Sequence, residues 1–599
     1  MQSPAGQNYL SRKITARLSR DLNTRITAQN VNIALFNRVS LQGVLIEDRQ
    51  QDTILYAGSL NLRITDWFFI KDKIELKYIG LDNAVIRLQR DDSVWRHQFI
   101  LDYFGGSGKS QNKSSSTELN LKKVVLNHVR IEQRDAWFGR NMNIGIGSLN
   151  LDANYVDFND LDADIEKLVI EQPDFLIYDY AGKRPRKTNA NTGKQKTPVA
   201  ISNDSTLKWN AAGWVVNAKL VELKNGRFRS QRAGVQPSSW FDGRYIDFHD
   251  IQTRFESVNW TDDTIKANMF LSTKERSGFE VKKMGASVFV NPTEMVFAKM
   301  EIRTNNSVIR DYYRMSFDDF SALNDYIHAV QMEGNFDHSE IDSDDIAFFA
   351  PALSSWKKNI TINGRIRGTV DDLVARGLEI EAGPNSYLNG DISLTGLPDI
   401  NQTFIDFKAN EFRTTYESAV TIVPALAKVT TPDLRKLAYL RFNGSFTGFI
   451  RDFVTYGTFQ TNLGNVKTDL NMKLPAGNAP VYSGTIESDY FKLGELLNDK
   501  QIGALAIKGS LKGRGFHVSN RNAEIDGVIP FVEYNDYKYN NIKVKGRLDR
   551  KLFEGEAAIQ DPEVSLALNG LIDYKESPSD RGKEVLMQLM KEKQEILNL

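Results

Sequence analysis

Cysteine is missing from all 599 residues. That excludes disulfides, thiolate metal sites and cysteine nucleophiles. It suits a bacterial envelope protein without fixing a compartment. Net charge is missing too, because 76 Lys and Arg balance 76 Asp and Glu. Nucleic acid demands a basic footprint, so no nucleic-acid partner is expected. No run nears the ~20 apolar residues of a membrane-spanning helix. The richest stretches, Trp67 to Ile70, Ile346 to Leu353 and Ala419 to Ala427, are short. Met1 leads straight into polar sequence with no visible secretory signal, which taken alone points to the cytosol. Histidine is scarce: His97, His128, His249, His328, His338 and His517 are scattered, with no H-x-x-x-H ligand pair. No G-x-S-x-G surrounds a serine nucleophile. The chain therefore reads as a non-enzyme, with no catalytic residue, metal or cofactor expected.

What is present is alternation. Leu60, Leu62 and Ile64 are separated by Asn61 and Arg63. Ile86 and Leu88 flank Arg87, and the same beat recurs at Ile362/Ile366, Ile392/Leu394 and Leu470/Met472/Leu474. It continues at Ile542/Val544 and Leu566/Leu568. One wet and one oily face per strand marks antiparallel sheet, and few helices interrupt it, so βαβ units are not expected. Helical periodicity is confined to 318–330, 343–356 (with Ser343 or Asp344 as N-cap), 416–439, 491–497 and 580–599. Residues 8–28 carry Leu10, Ile14, Leu18 and Leu22 among basic residues. That helix either caps the first strands or lies beside a membrane.

A motif also repeats. Gly364, Gly368, Asp372 and Gly377 recur as Gly444, Gly448, Asp452 and Gly457. Gly509 and Gly513 begin a weaker third copy. Self-similarity of this kind signals stacked units, whose function lies in a long surface.

Three chemical look-alikes carry less weight. Phe104 to Ser110 (F-G-G-S-G-K-S) has Tyr103 where a phosphate loop needs glycine, and no helix pattern follows, so it reads as linker. Asp157, Asp160, Asp162 and Asp164 lack the glycine and glutamate of a calcium loop, and read as a strand and its turn. A second acidic group, from Asp337 to Asp345, suits a helix start. Lys183, Arg184, Arg186, Lys187, Lys194 and Lys196 form a basic loop that is either solvated or touches anionic headgroups.

Several stretches resemble the AsmA-like superfamily, and within it the TamB translocation-and-assembly-module proteins of the Bacteroidetes type. They are Pro4 to Ser19, Ile26 to Asp48, D-I-A-F-F-A-P from Asp345, I-N-G-R-I-R-G-T from Ile362 and L-N-G-D-I-S-L-T-G-L-P-D from Leu388. G-S-F-T-G-F-I-R-D-F from Gly444 and Y-F-K-L-G-E-L-L from Tyr490 continue the series in order. The resemblance implies a mainly β fold: an elongated, curved antiparallel sheet forming an open groove, a β-taco, with a few short helices. It implies a periplasmic protein of outer-membrane biogenesis, anchored in the inner membrane. Its cargo would be phospholipid, carried along the groove between the two membranes. The alternative is a scaffold that templates outer-membrane or secreted proteins by strand addition. An anchor helix preceding this sequence, and a C-terminal domain following it that meets an Omp85-type, TamA-like barrel, are further implications, as though the chain were an N-terminal fragment.

The expected organisation is a juxtamembrane helix at 1–28, an AsmA-like β segment at 29–104 and a linker at 105–118. A second β segment covers 119–310, the repeat-bearing groove 311–575 and a last helix 576–599. The expected groove lining is Leu60, Leu62, Ile64, Ile86, Leu88, Ile362, Ile366, Ile392, Leu394, Leu470, Met472, Leu474, Ile542, Val544, Leu566 and Leu568.

Overall fold

Alternating segments form strands, and the strands are long because the alternation is long. The computed structural model describes residues 15–573, apart from 17–18, 35–37, 65–73, 101–116, 159, 185–207, 350, 352–353, 355–356, 423–425, 428, 430–431, 516–520 and 551. The expected linker at 105–118 lies outside those residues up to 116 and its last two residues are already strand, while most of the basic loop and the expected C-terminal helix lie outside them. So do the Phe104 to Ser110 motif and the run Trp67 to Ile70.

The chain divides into two units, Met1–Ser354 and Ser355–Leu599. Residues 310 and 311, where a boundary was expected, lie inside a strand. The first unit holds β1 (Ile26–Thr27), β2 (Asn30–Ala34), β3 (Arg38–Glu47), β4 (Thr53–Ile64), β5 (Ile74–Arg90), β6 (Thr117–Asp135), β7 (Arg140–Asp157) and β8 (Asp162–Glu171). It continues with β9 (Asp174–Asp179), β10 (Val215–Arg232), β11 (Tyr245–Thr261), β12 (Thr264–Glu275), β13 (Glu280–Asn291), β14 (Glu294–Arg303), β15 (Val308–Ser316) and β16 (Gln331–Asp342). The second holds β17 (Asn359–Gly368), β18 (Asp372–Ala382), β19 (Tyr387–Thr395), β20 (Phe404–Thr414), β21 (Leu440–Phe449), β22 (Asp452–Thr461) and β23 (Gly464–Lys473). It ends with β24 (Val481–Phe491), β25 (Ile502–Arg514), β26 (Asn522–Tyr534), β27 (Tyr537–Asp549), β28 (Leu552–Gln560) and β29 (Ser565–Asp573).

Within the second unit each strand pairs antiparallel with the next, from β17 to β29. The first unit departs from the antiparallel expectation. β5 runs parallel to β6, and β8 and β9 both run parallel to β10. β8 and β9 act as two halves of one strand broken at Gln172 and Pro173, and both halves pair with β7. Alternation reports which face a side chain takes, not strand direction, so it could not reveal these crossovers.

The helices are short, and each differs somewhat from its expected span. The N-terminal helix ends at Leu22 and Ile26–Thr27 is already strand, so 8–28 was too long. Thr24 Oγ1, which donates to Glu47 O, ties that end of the helix to β3. Residues 318–330 form a 3-10 turn, Phe320–Asp325, and a helical turn, Tyr326–Ala329. The helix Ser343–Ala347 is capped by Asp342, whose carboxylate accepts from Asp344 N at 2.8 Å, one residue before the expected cap. Of 416–439, only Tyr416–Ile422 is α-helical, and Leu434–Lys436 is a 3-10 turn. Leu493–Leu497 is the last helix among the described residues.

Strands this long must bend to keep one face turned inward, and the two units bend differently. In the first, the apolar phase slips by one residue mid-strand. β4 presents Leu55 and Ala57, then Leu60 and Leu62; β5 presents Ile79 and Leu81, then Ala84 and Ile86. Register is unbroken through the slip from β4 to β7, so neighbouring strands slip together, whereas β10 and β11 shift register at theirs. The residues at the slips, Asn83, His128, Asn225 and Asp250, have φ of +50 to +54°. Asn, Asp and His tolerate that left-handed region better than most side chains. They align across strands: Asn83 sits beside His128, and His128 opposite Gly147. In the second unit the parity holds through β21–β23, and glycine makes the bend. Gly444 and Gly457 face each other at φ +153° and +152°. A Cβ on Gly444 would run into the Tyr456 carbonyl and lie 2.6 Å from Gly457 Cα. These are repeat glycines, so the repeated motif is the hairpin and its crease.

Candidate functional site

Cross-strand partners share a face, so register alone assembles the apolar surface of the second unit. One row reads Gly368, Leu373, Leu394, Ile405, Gly448, Phe453 and Met472 across β17 to β23. It continues as Tyr482, Gly513, Ala523, Leu548, Phe553 and Ile572 to β29. Its one polar atom, the Tyr482 hydroxyl, donates to Gly515 O at 3.1 Å. The next row carries Ile366, Ala375, Ile392, Phe407, Phe446, Thr455 and Leu470. Val544, Ala557 and Leu568 form part of a third row, and Ile542, Ile559 and Leu566 of a fourth.

The expected lining residues of the second unit thus fall in adjacent rows of one face. Leu474 is the exception in position, since it follows β23 and its amide donates to Arg451 O. In the first unit Leu60 and Leu62 pair with Leu81 and Ile79. Ile86 stands between Leu55 and Ile131. Leu88 aligns with Gln133, so the oily surface thins there. Ile64 aligns with Leu76, and its side chain lies outside the described set.

Accessibility separates an open face from a closed core. Ile362, Ile366, Ile392, Leu394, Leu470, Met472, Ile542, Val544, Leu566 and Leu568 are each half-buried, and none is buried. A facing sheet would bury such side chains almost completely. The strands that approach each other most closely are hydrogen-bonded neighbours. The buried positions of this unit include the small residues Ala375, Ala409, Ala504 and Ala506 and the larger Leu378, Phe442, Leu463 and Tyr482. The first unit is more tightly filled, with Met269, Met284, Ala286 and Met300 clustered on β12 to β14.

The sequence reading missed the aromatic share of this face. Phe442 stacks on Phe459 with centroids 4.6 Å apart, and Phe446 on Phe453 at 4.7 Å. Both pairs obey the same alternation, so they were there to be found.

The opposite face is charged and ordered by cross-strand ion pairs. Arg87 meets Glu132 at 3.1 Å, Lys123 meets Asp152 at 2.8 Å and Lys508 meets Glu487 at 2.8 Å. Each such pair is worth roughly 0–1 kcal/mol, so they set register and solubility more than stability. Asp157 and Asp162 bracket the β7–β8 turn, where Asp162 accepts from the Tyr155 hydroxyl. Asp345 is buried and accepts from Ser307 Oγ at 2.6 Å and Asn306 N at 3.0 Å, pinning its helix to the β14–β15 turn. These acids therefore serve local structure. A cavity of about 540 Å³ over β26 to β29 is lined by Asp526, Lys543, Lys545 and Glu556 of the charged face.

No family model, no curated protein and no solved structure matches this chain.

Proposed function

We propose that the chain is a non-enzymatic lipid conduit of the AsmA/TamB kind, carrying phospholipid along the apolar face of its sheet between the inner and outer membranes of a bacterial envelope. The supporting observation is the apolar face that register carries from β17 to β29, most of whose large side chains are half-buried. An exposed oily surface of that extent needs an occupant.

Acyl chains suit it physically. Burying them is worth roughly 0.8 kcal/mol per CH₂, on the order of 20 kcal/mol for two chains. A lone lipid therefore leaves slowly for water. Along a continuous face it trades one apolar contact for another, so its burial hardly changes and sliding is cheap. Direction has to be supplied by a gradient or a coupled machine. The chain-length-independent, periodic lining also explains why no cluster of convergent polar groups is needed: the face recognises tails.

The test places Asp at Met472 and Val544. Both side chains are half-buried and neither is in a buried core cluster, so the fold should persist while charge blocks the face. Crosslinking of acyl-chain-labelled phospholipid beyond the block is expected to fall at least tenfold. Undiminished crosslinking in the folded double variant contradicts the conduit.

A further inference from the structure

One pair of opposed cations on the charged face stands without relief. Across β3 and β4, Arg38 stands directly opposite Arg63. Like charges so placed repel and destabilise a strand pair. The other directly opposed cations among the described strands are relieved. Lys283 opposes Arg303, but Glu301 reaches both. Arg365 opposes Arg376, which pairs with Asp391. Arg413 opposes Arg441, and each lies over a tyrosine ring. Arg38 and Arg63 have no carboxylate or ring partner among the described residues.

More cations gather around them. Lys123 lies in the same row, next to Tyr78, and holds Asp152 at 2.8 Å. The register shifts at Leu76/Tyr78 against β6 and at Arg63/Ile64 against β5 place Lys77 and Lys122 at irregular positions, and both join the lining. Together they surround a cavity of about 630 Å³ whose described lining contains five cations and no carboxylate. Lys122, like the two arginines, has no ionic partner among the described residues.

We infer that this cavity binds the phosphodiester headgroup of an anionic phospholipid at a membrane surface. Guanidinium pairs grip phosphate oxygens in a fork, and an anion between Arg38 and Arg63 turns their repulsion into binding. A neutral chain makes no general polyanion binder, so the site's selectivity is local. This deepens the conduit reading and rests on it only for the identity of the molecule that carries the phosphate: tails would take the apolar face and a headgroup the opposite one, so the two sites are separable.

The experiment is co-sedimentation of the full chain with phosphatidylcholine vesicles, with and without phosphatidylglycerol, at low and high salt. Binding is expected only with phosphatidylglycerol and to weaken with salt. Replacing Arg38, Arg63 and Lys122 by Gln should reduce it on the order of a hundredfold. Arg63→Glu serves as the folding control. It can pair with Arg38, so hydrogen-exchange protection of β3 and β4 should hold or rise while vesicle binding is lost. Equal binding by the Gln variant, or equal binding to both vesicles, overturns the inference. So does abolition of vesicle binding by millimolar inorganic phosphate or by an oligonucleotide, since the site would then take free phosphate or nucleic acid. Lipid carried by the same variants is read by native mass spectrometry. Bound lipid with vesicle binding indifferent to the cations refutes the headgroup site alone; cation-dependent vesicle binding with no lipid carried refutes the conduit alone.

Discussion

Single residues explain where this fold is sensitive to its surroundings. Asp561, beyond β28, accepts from the Tyr537 hydroxyl at 2.5 Å, Asn540 Nδ2 at 2.7 Å, Asn540 N at 3.0 Å and Glu563 N at 3.0 Å. The tyrosine bond, aided by the other donors, lowers the carboxyl from 3.8 to about 2. The same bond raises the Tyr537 hydroxyl from 10.0 to about 12. A depressed carboxyl stabilises the fold above its unfolded value and loses that contribution as pH falls through its folded one. A raised hydroxyl contributes below its unfolded value and loses it on the alkaline side. The hairpin is therefore held fully between about pH 4 and pH 10. Exchange protection of the Asn540 and Glu563 amides is expected to decline from pH 4 towards pH 2, and Asp561→Asn to remove that dependence. A wild-type profile flat across the acid range would contradict this reading.

Strands and hairpins show what a sequence of this kind reveals. Faces were legible, because a period of two assigns each side chain to one side whatever its partner. Leu470, Met472, Ile542, Val544, Leu566 and Leu568 therefore share one face of the sheet. Bends were legible only indirectly. The slip from Leu81 to Ala84 in β5, or from Leu126 to Val129 in β6, is visible as a change of parity. It was overlooked because each half alternates correctly. The parallel pairs were not legible, because both directions preserve alternation. The third repeat copy is a case between: Gly509 and Gly513 lie in β25, but neither takes a positive φ. The crease itself can be tested within one hairpin and against a loop. Gly444→Ala meets strand backbone as well as an unfavourable φ, whereas Gly477, at φ +71°, has open space around it. Gly477→Ala should cost about 1 kcal/mol from conformation alone. Gly444→Ala should cost at least ~2 kcal/mol, or force the hairpin to flatten. Local hydrogen exchange in β21 and β22 reads the difference, and equal effects would refute the crease.

At the scale of the whole chain, the absences noted first acquire a physical meaning. The proposed conduit would call for neither cysteine nor net charge, and the charged face of the sheet carries paired ions. What it does need is a face that stays oily and open from strand to strand. The resemblance to AsmA-like proteins supplied lipid as the occupant, and the half-burial of the face gives that proposal its physical support. The sharpest test uses neighbours on opposite faces. A photoreactive side chain is introduced singly at Leu470, Met472 and Val544, and at Asp469, Asn471 and Lys543, in protein supplied with phospholipid bilayers. Phospholipid adducts are expected at the first three positions and at background level at the second three, alternating residue by residue along β23. Adducts without that alternation, or none at Leu470 and Met472, would contradict an apolar face open to acyl chains.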